Sequence, residues 1–258
     1  MLLFSNGLER NKNTLLYSLT CLVLFLYGAF MAVDTINYLS RTNITAVGLI
    51  KLMVSISCSI SAWIIGRQCL DDQDKILLGL AFVFSFLGDI GIVTSTHFLQ
   101  PPVSTTVFTF GGISFCVMHV FLILRHGKGF HFLFTAEGKL DWKQLIFPLF
   151  FYVPSGIVFS LFWKQLSEAG LLWIGLVYLF FVTTSLWVGW EPLRCKLFPP
   201  RNAWMIGIGM TSFFIMEAIG VIYNIKIGTA SDIAFILTWF FYVPFLLLLP
   251  HSGYRWED

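Results

Sequence analysis

The sequence predicts an all-α membrane protein: a single bundle of eight transmembrane helices with both termini in the cytoplasm. Hydrophobic residues make up 57% of the 258-residue chain and charged residues only 12%, about half the charge of an ordinary soluble domain. The mean hydropathy is +0.80. The apolar residues gather into eight runs, each close to the roughly 20 residues a helix needs to cross a hydrocarbon layer about 30 Å thick. Lysines and arginines fall mostly in alternate connections, as the positive-inside rule requires.

The first run, 14–33, follows Arg10 and Lys12. It is too long for a signal-peptide core and has no small-x-small cleavage site near its end, so it is predicted to stay as a helix. The second, 44–65, carries Lys51, and the third, 75–94, carries Asp89. The fourth is 104–125, followed by the longest connection, 127–143, which is too short for an inserted soluble domain. The fifth, 144–162, contains Pro148 and Pro154, and the eighth, 232–249, contains Pro244. Prolines at such places bend a helix and release carbonyls that can line a cavity. Between them lie 169–189 and 202–223, the latter carrying Glu217. With no linker and no internal repeat, the chain reads as one polytopic domain over 1–258.

Twelve Lys and Arg residues lie on the side of the N-terminus under this topology: Arg10, Lys12, Arg67, Lys75, Arg125, Lys128, Lys139, Lys143, Arg194, Lys196, Arg201 and Arg255. Three lie opposite: Arg41, Lys164 and Lys226. That bias places both ends in the cytoplasm. The net charge of +2 is too small and too dispersed for a nucleic-acid partner. Cys21, Cys58, Cys69, Cys116 and Cys195 have no paired spacing, so no disulfide framework is expected. No metal is expected, because no His-x-x-x-His, His-Glu-x-x-His or Cys-x-x-Cys spacing occurs. Nucleotide-binding and Gly-x-Ser-x-Gly fingerprints are absent too, and no cofactor is implied. Trp63, Trp142, Trp163, Trp190 and Trp239 stand near predicted helix ends and read as an interfacial belt. Gly88 with Gly91, Gly111 with Gly112, and Gly207 with Gly209 are small surfaces suited to close helix approach.

Lys51, Asp89 and Glu217 are the candidate site. A charge in mid-membrane costs roughly 2.5 to 3.5 kcal/mol on insertion scales, so such residues usually face a polar interior and mark function. Counted from the predicted outer helix ends, all three lie about 7 to 11 Å deep. A common depth predicts one cavity in which Asp89 and Glu217 share a water and Lys51 lines the wall. Bland readings stand beside this one: Lys51 snorkelling to the interface, or Asp89 reaching the headgroups. Ser85, one turn from Asp89, is placed to orient water. His119, on the fourth helix and about 14 Å from the level of Asp89, reads as an interhelical hydrogen-bonding residue. His126, His131 and His251 read as cytoplasmic surface groups.

The run Phe84-Ser85-Phe86-Leu87-Gly88-Asp89, then Gly111, Phe115 and His119 at four-residue steps, resembles the Phe-Ser-x-x-Gly-Asp and Gly-x-x-x-Phe-x-x-x-His signature of YhhN-like lysoplasmalogenases. Lys51 is similar to that family's helix-two lysine. Gly209, Phe213 and Glu217 repeat its Gly-x-x-x-Phe-x-x-x-Asp spacing, and Tyr178 matches its tyrosine on the sixth helix. The chain departs from the pattern in having Glu217 for Asp, Met216 for Ser, no proline closely after Lys51, and Tyr242 where the family usually has Gln.

The resemblance implies cleavage of the vinyl ether of a lysophospholipid, giving a fatty aldehyde and a glycerophospho-headgroup. That chemistry needs a proton donor for the β-carbon and a carboxylate to steady the cation and orient water. Asp89 and Glu217 are assigned jointly to these roles, the division between them left open, with Lys51, Ser85, His119 and Tyr178 in support. Competing readings are a catalytically silent lipid-binding homologue, a proton-coupled small-molecule carrier and a zinc-dependent lipid amidase. The expected location is the endoplasmic reticulum or a bacterial inner membrane.

Overall fold

The computed structural model describes residues 2–40, 46–65, 70–99, 103–134, 138–168, 170, 172–226 and 232–256. Arg41, Arg67 and Cys69 lie outside them. Within them the α-helices are α1 (Leu2–Ser40), α2 (Ala46–Ile65), α3 (Asp72–His97), α4 (Val103–Gly127), α5 (Ile146–Ser160), α6 (Trp163–Glu168), α7 (Leu172–Arg194), α8 (Pro200–Lys226) and α9 (Asp232–His251). Short 3-10 turns follow α4 and precede α5, and one isolated bridge joins Phe134 to Leu140.

Among the described residues six helical stretches are long and apolar enough to cross a membrane: Thr14–Asn37, Ala46–Ile65, Asp72–His97, Thr106–Leu133, Leu172–Arg194 and Pro200–Gly220. That is the character of a multi-pass integral membrane protein. Large apolar side chains such as Phe25, Phe150 and Trp173 are exposed on the outside of the bundle, where lipid rather than water meets them. Of the two remaining predicted spans, the eighth falls on α9, and the fifth is a shorter apolar helix, Ile146–Ser160.

The fifth span shows why. The predicted run 144–162 breaks near its end, where Leu161 and Phe162 donate to carbonyls three residues back, Val158 and Phe159, at 3.1 and 3.0 Å. This tightening ends the α-helical ladder, and the chain turns into the short α6. The 15 residues of α5 span about 22 Å, short of a hydrocarbon layer about 30 Å thick.

Elsewhere the helices outrun the apolar runs. Asp71 caps α3, its side chain accepting from the Asp74 amide at 2.6 Å, and Asp72 and Asp74 occupy the first turn. Acidic groups there complement the helix dipole. Hydropathy marks the membrane-embedded part; capping chemistry marks where a helix begins. The helix ends therefore differ from the predicted ones by several residues.

The bundle is tied at the end where α3 begins and α4 finishes. Arg125, fully buried, grips Asp74 with two hydrogen bonds, Nε to Oδ1 at 2.8 Å and an Nη nitrogen to Oδ2 at 3.2 Å, and donates to Ser252 at 2.9 Å. Asn202 donates to the Ser252 and Tyr254 carbonyls at 2.8 Å. The latch joins α3, α4, α8 and the chain after α9, and it buries His126, which the sequence had placed at the surface. Midway along the bundle, α3 and α4 approach so closely at Gly91 and Gly111 that a Cβ on Gly91 would lie 2.6 Å from the Gly111 Cα. This packing fixes Asp89, two residues before Gly91, against the interior.

Candidate functional site

Lys51 is ion-paired with neither Asp89 nor Glu217 but with a third acid. Its ammonium lies 2.7 Å from Asp34 on α1, with the lysine side chain fully buried, and stands 5.4 Å from the Trp239 ring and 5.6 Å from the Phe30 ring. Trp239, expected in an interfacial belt, is buried and helps enclose this cation. Trp142 and Trp163 do stay exposed. The correction has a geometric cause. Helix α1 continues through Asp34 to Ser40, past the predicted end at 33. Helices α3 and α8 reach His97 and Lys226, three residues beyond their predicted ends. Asp89 and Glu217 thus lie about 12 and 14 Å from those ends, while Lys51 lies about 8 Å from the start of α2.

Asp89 is almost wholly enclosed, 2% exposed. Ser55 on α2 and Tyr242 on α9 both donate to its Oδ2, the tyrosine at 2.9 Å. Ser85 lies 3.0 Å from the Tyr242 hydroxyl. Since that hydroxyl has one proton and gives it to Asp89, Ser85 is the donor to Tyr242. Ser85 therefore acts on Asp89 through the tyrosine. Three helices, α2, α3 and α9, hold one carboxyl group.

Glu217 occupies a different setting. Tyr178 on α7 donates to its Oε1 at 2.7 Å, and the glutamate is only half-buried. His119 bridges α4 to α7, its Nδ1 2.8 Å from the Ser185 hydroxyl, as an interhelical histidine should. Ser185 also donates to the Val182 carbonyl at 3.0 Å. With the serine proton so used, His119 Nδ1 carries the hydrogen and Nε2 is a bare acceptor. Among the described residues that buried nitrogen has no partner.

Between the two carboxyl groups runs a file of rings. Tyr242 lies 6.0 Å from Phe213, Phe213 lies 4.9 Å from His119, and His119 lies 6.2 Å from Tyr178. Phe115 packs edge-on against both Phe213 and Tyr242. The acidic groups are thus linked through an aromatic file, each with its own tyrosine. Among the described residues neither has a cation at ion-pair distance, and no three His, Cys, Asp or Glu side chains converge.

Glu217 and Tyr178 also line a cavity of about 110 Å³ between α5, α6, α7 and α8, with Ser155, Phe159, Leu166, Gly175, Val182 and Phe214 among its walls. The cavity surface is almost wholly apolar, and the Ser155 hydroxyl is donated to the Phe151 carbonyl at 2.7 Å.

Residues that the sequence reading passed over are Asp34, Ser55 and the cavity walls on α5 and α6. Asp34 had a signal: an acidic residue one position beyond an apolar run, in a chain with an intramembrane lysine to neutralise. Ser55, one helical turn after Lys51, is one serine among four on α2, and nothing in its spacing singles it out.

The family model for the YhhN family matches residues 49–249. The chain belongs to that family. The match begins just before Lys51 and ends near the close of α9, so Asp34 lies outside it. Comparison with curated proteins finds no match, and comparison with solved structures finds none.

Proposed function

We propose that this YhhN family member is an intramembrane hydrolase that cleaves the vinyl ether bond of lysoplasmalogens, releasing a fatty aldehyde and a glycerophospho-headgroup. The observation that carries the reading is the pair of membrane-depth carboxyl groups, Asp89 and Glu217, each held by a tyrosine hydroxyl. Buried ionisable groups in a membrane interior are costly and are kept where they act.

The chemistry is R–CH=CH–O–R′ plus water giving R–CH2–CHO and HO–R′. A proton goes to the β-carbon, the resulting oxocarbenium ion takes up water, and the hemiacetal collapses with return of the proton. One carboxyl group must start protonated and the other ionised. Asp89 and Glu217 supply those two roles; Tyr242 and Tyr178 orient them, Ser85 steadies Tyr242, and His119 offers a bare nitrogen to a water or hydroxyl beside Tyr178. Lys51 contributes by bracing α1, α2 and α9 around Trp239 and not by contacting either acid. Location in a cellular membrane with a cytoplasmic face, endoplasmic reticulum or bacterial inner membrane, fits the charge distribution.

A second reading, a catalytically silent lipid-binding homologue, draws on the closure of Asp89 and on glutamate standing where the family pattern has aspartate. The deciding experiment measures aldehyde release from a vinyl-ether lysolipid by the purified protein, beside Asp89→Asn and Glu217→Gln. The hydrolase reading expects turnover in the wild type and a loss of about 10² or more in each variant, the usual worth of general acid-base catalysis. No aldehyde from folded wild-type protein would leave the silent homologue. Full activity in both variants would remove the carboxyl mechanism.

A further inference from the structure

We propose that the phosphoethanolamine headgroup of a membrane phospholipid binds in a second cavity, at the end of the bundle where α3 begins and α4 finishes, remote from both membrane-depth carboxyl groups. The proposal does not depend on the hydrolase reading.

This cavity, of about 240 Å³, lies between the start of α3, the end of α4 and the tight turn that follows α4. Its surface is divided almost evenly between polar and apolar atoms. Arg125, Lys128, His131 and Asp74 supply polar walls, and Leu77 and Leu124 an apolar one. Asp74 precedes Asp89 by 15 residues on α3, and Asn202, in the same latch, precedes Glu217 by 15 on α8. Both separations are about 22 Å along a helix axis. A lipid whose headgroup sits here is therefore not one whose ether bond reaches either carboxyl group.

The polar walls are held in place. Arg125 is locked to Asp74 by its two hydrogen bonds. The Lys128 ammonium lies 2.7 Å from Asp71 and 4.7 Å from the Phe198 ring, with side-chain exposures of 33% for the lysine and 46% for the aspartate. The turn that carries Lys128 is left-handed, with φ of 41° at Lys128, 75° at Gly129 and 59° at Phe130. That backbone is unfavourable for a lysine and a phenylalanine, and Phe130 is braced there by Phe132 and Trp187. It folds the His131 ring over Gly129, where a Cβ would come 3.0 Å from the imidazole Nε2. Lys128 and His131 thus face one space.

Charge selects the headgroup. Asp74 balances Arg125 and Asp71 balances Lys128, one for one. A purely anionic headgroup would meet an acid beside every base. A zwitterion fits both signs: an ammonium donates three hydrogen bonds and a carboxylate accepts about four, so Lys128 can donate to a phosphate while it stays paired with Asp71, and a ligand ammonium can donate to Asp71. Lysine, phosphate, ligand ammonium and aspartate then alternate in sign around a square. Ethanolamine has the N–H donors that this needs, and a quaternary choline has none.

The apolar wall selects a lipid over a soluble phosphate. Leu124, Val120 and Ile113, 48%, 36% and 59% exposed, form one stripe on α4 that runs from the cavity toward mid-membrane. Hydrocarbon lying along that stripe brings its phosphate level with Lys128, one turn past Leu124.

The test is native mass spectrometry of the purified protein in detergent, titrated with diacyl lipids of identical chains that carry phosphoethanolamine, phosphocholine or phosphoglycerol. The ethanolamine lipid is expected to be held about tenfold or more tighter than the other two, the usual worth of a hydrogen bond to a charged group. Lys128→Met should abolish that binding. Asp71→Asn should bring the phosphoglycerol lipid level with the ethanolamine lipid, a change of order that loss of a merely structural contact would not produce. Glycerophosphoethanolamine, the same headgroup without chains, should not displace the lipid at equal concentration. Equal retention of the three lipids by the wild type, an unchanged order in Asp71→Asn, or displacement by the chainless headgroup would overturn the proposal. So would binding lost in Glu217→Gln and kept in Lys128→Met, which would put the lipid at the carboxyl groups. The wild-type order and the chainless competitor decide the matter if a variant does not fold.

Discussion

Removing Lys51 should unfold the protein more easily without retuning the carboxyl groups. Lys51 and Asp34 are 2.7 Å apart, with side chains 0% and 9% exposed. Breaking a buried ion pair by deleting one partner leaves the other charge stranded and costs about 3–5 kcal/mol, whereas replacing both with uncharged groups is often neutral. At roughly 2–4 °C per kcal/mol for a chain of this size, Lys51→Met should lower the melting temperature by about 6–20 °C. Asp34→Asn should also destabilise, because the ammonium is the more deeply buried partner of the pair. The double variant should recover most of the loss. The measurement is thermal unfolding of the four proteins in detergent, followed by tryptophan fluorescence and size exclusion. If the double variant falls by the sum of the singles, the two residues are not coupled and the pairing is wrong. A shifted pH–rate profile in folded Lys51→Met would instead restore the lysine to the acidic site.

Asp71 lies outside the membrane spans. Burial alone would raise its carboxyl group, but hydrogen bonds from Lys128, at 2.7 Å, and from the Asp74 amide, with the charges of Lys128 and Arg125, outweigh that and hold it below the ordinary carboxylate range. A depressed folded value means its contribution is complete above the unfolded value, about 4, and is lost as pH falls through the folded one. Asp71→Asn should therefore lower stability at pH 7, and its gap from wild type should close below about pH 4 in melting curves. Burial, with the hydrogen bond and negative charge of Glu191, pushes the Cys195 thiol up to about 11. Maleimide labelling of Cys195 should be slow at pH 8 and rise steeply toward that value, and rapid labelling at neutral pH would contradict the Glu191 contact. The twelve-to-three charge bias predicts that tags at both termini are accessible only from the cytoplasmic side; opposite accessibility of the two ends would mean that an odd number of segments crosses.

What the sequence made legible is what one-dimensional hydropathy encodes. The helical class and the long apolar segments follow from the absence of water to satisfy backbone groups in lipid. The family signature around Asp89 and His119 was readable for a related reason: residues four apart share a helix face, so Gly111, Phe115 and His119 line up whatever the neighbouring helices do. Hydropathy did not reveal where helices end. Asp71 and Asp74 extend α3 by capping, Asp34 lies in a continuing α1, and the fifth run breaks at Phe162 although its composition never changes.

Those end effects explain why the predicted three-charge cavity separated into two settings. Equal depth is a necessary condition for residues on different helices to meet, but depth counted from misplaced ends shifts by about 1.5 Å per residue, and rotation about each helix axis is not encoded in depth at all. Lys51 found Asp34 because α1 supplied an acid at its own level, the arrangement that avoids stranding an ammonium in hydrocarbon. Relieved of the lysine, each carboxyl group takes a tyrosine hydroxyl, neutral and short-ranged. Tyr242 stands where the resembling family pattern has glutamine, and its phenol reaches Asp89 while its ring packs at 6.0 Å on Phe213. A glutamine can make the first contact and not the second. Tyr242→Gln should therefore preserve a hydrogen bond to Asp89 while loosening the file of rings that leads to Glu217. Tyr242→Phe should do the opposite. Comparing the melting temperatures and aldehyde-release rates of the two variants separates the roles. If Tyr242→Phe is fully active, the hydroxyl on Asp89 is dispensable, and if Tyr242→Gln melts with the wild type, the aromatic file carries no structural weight.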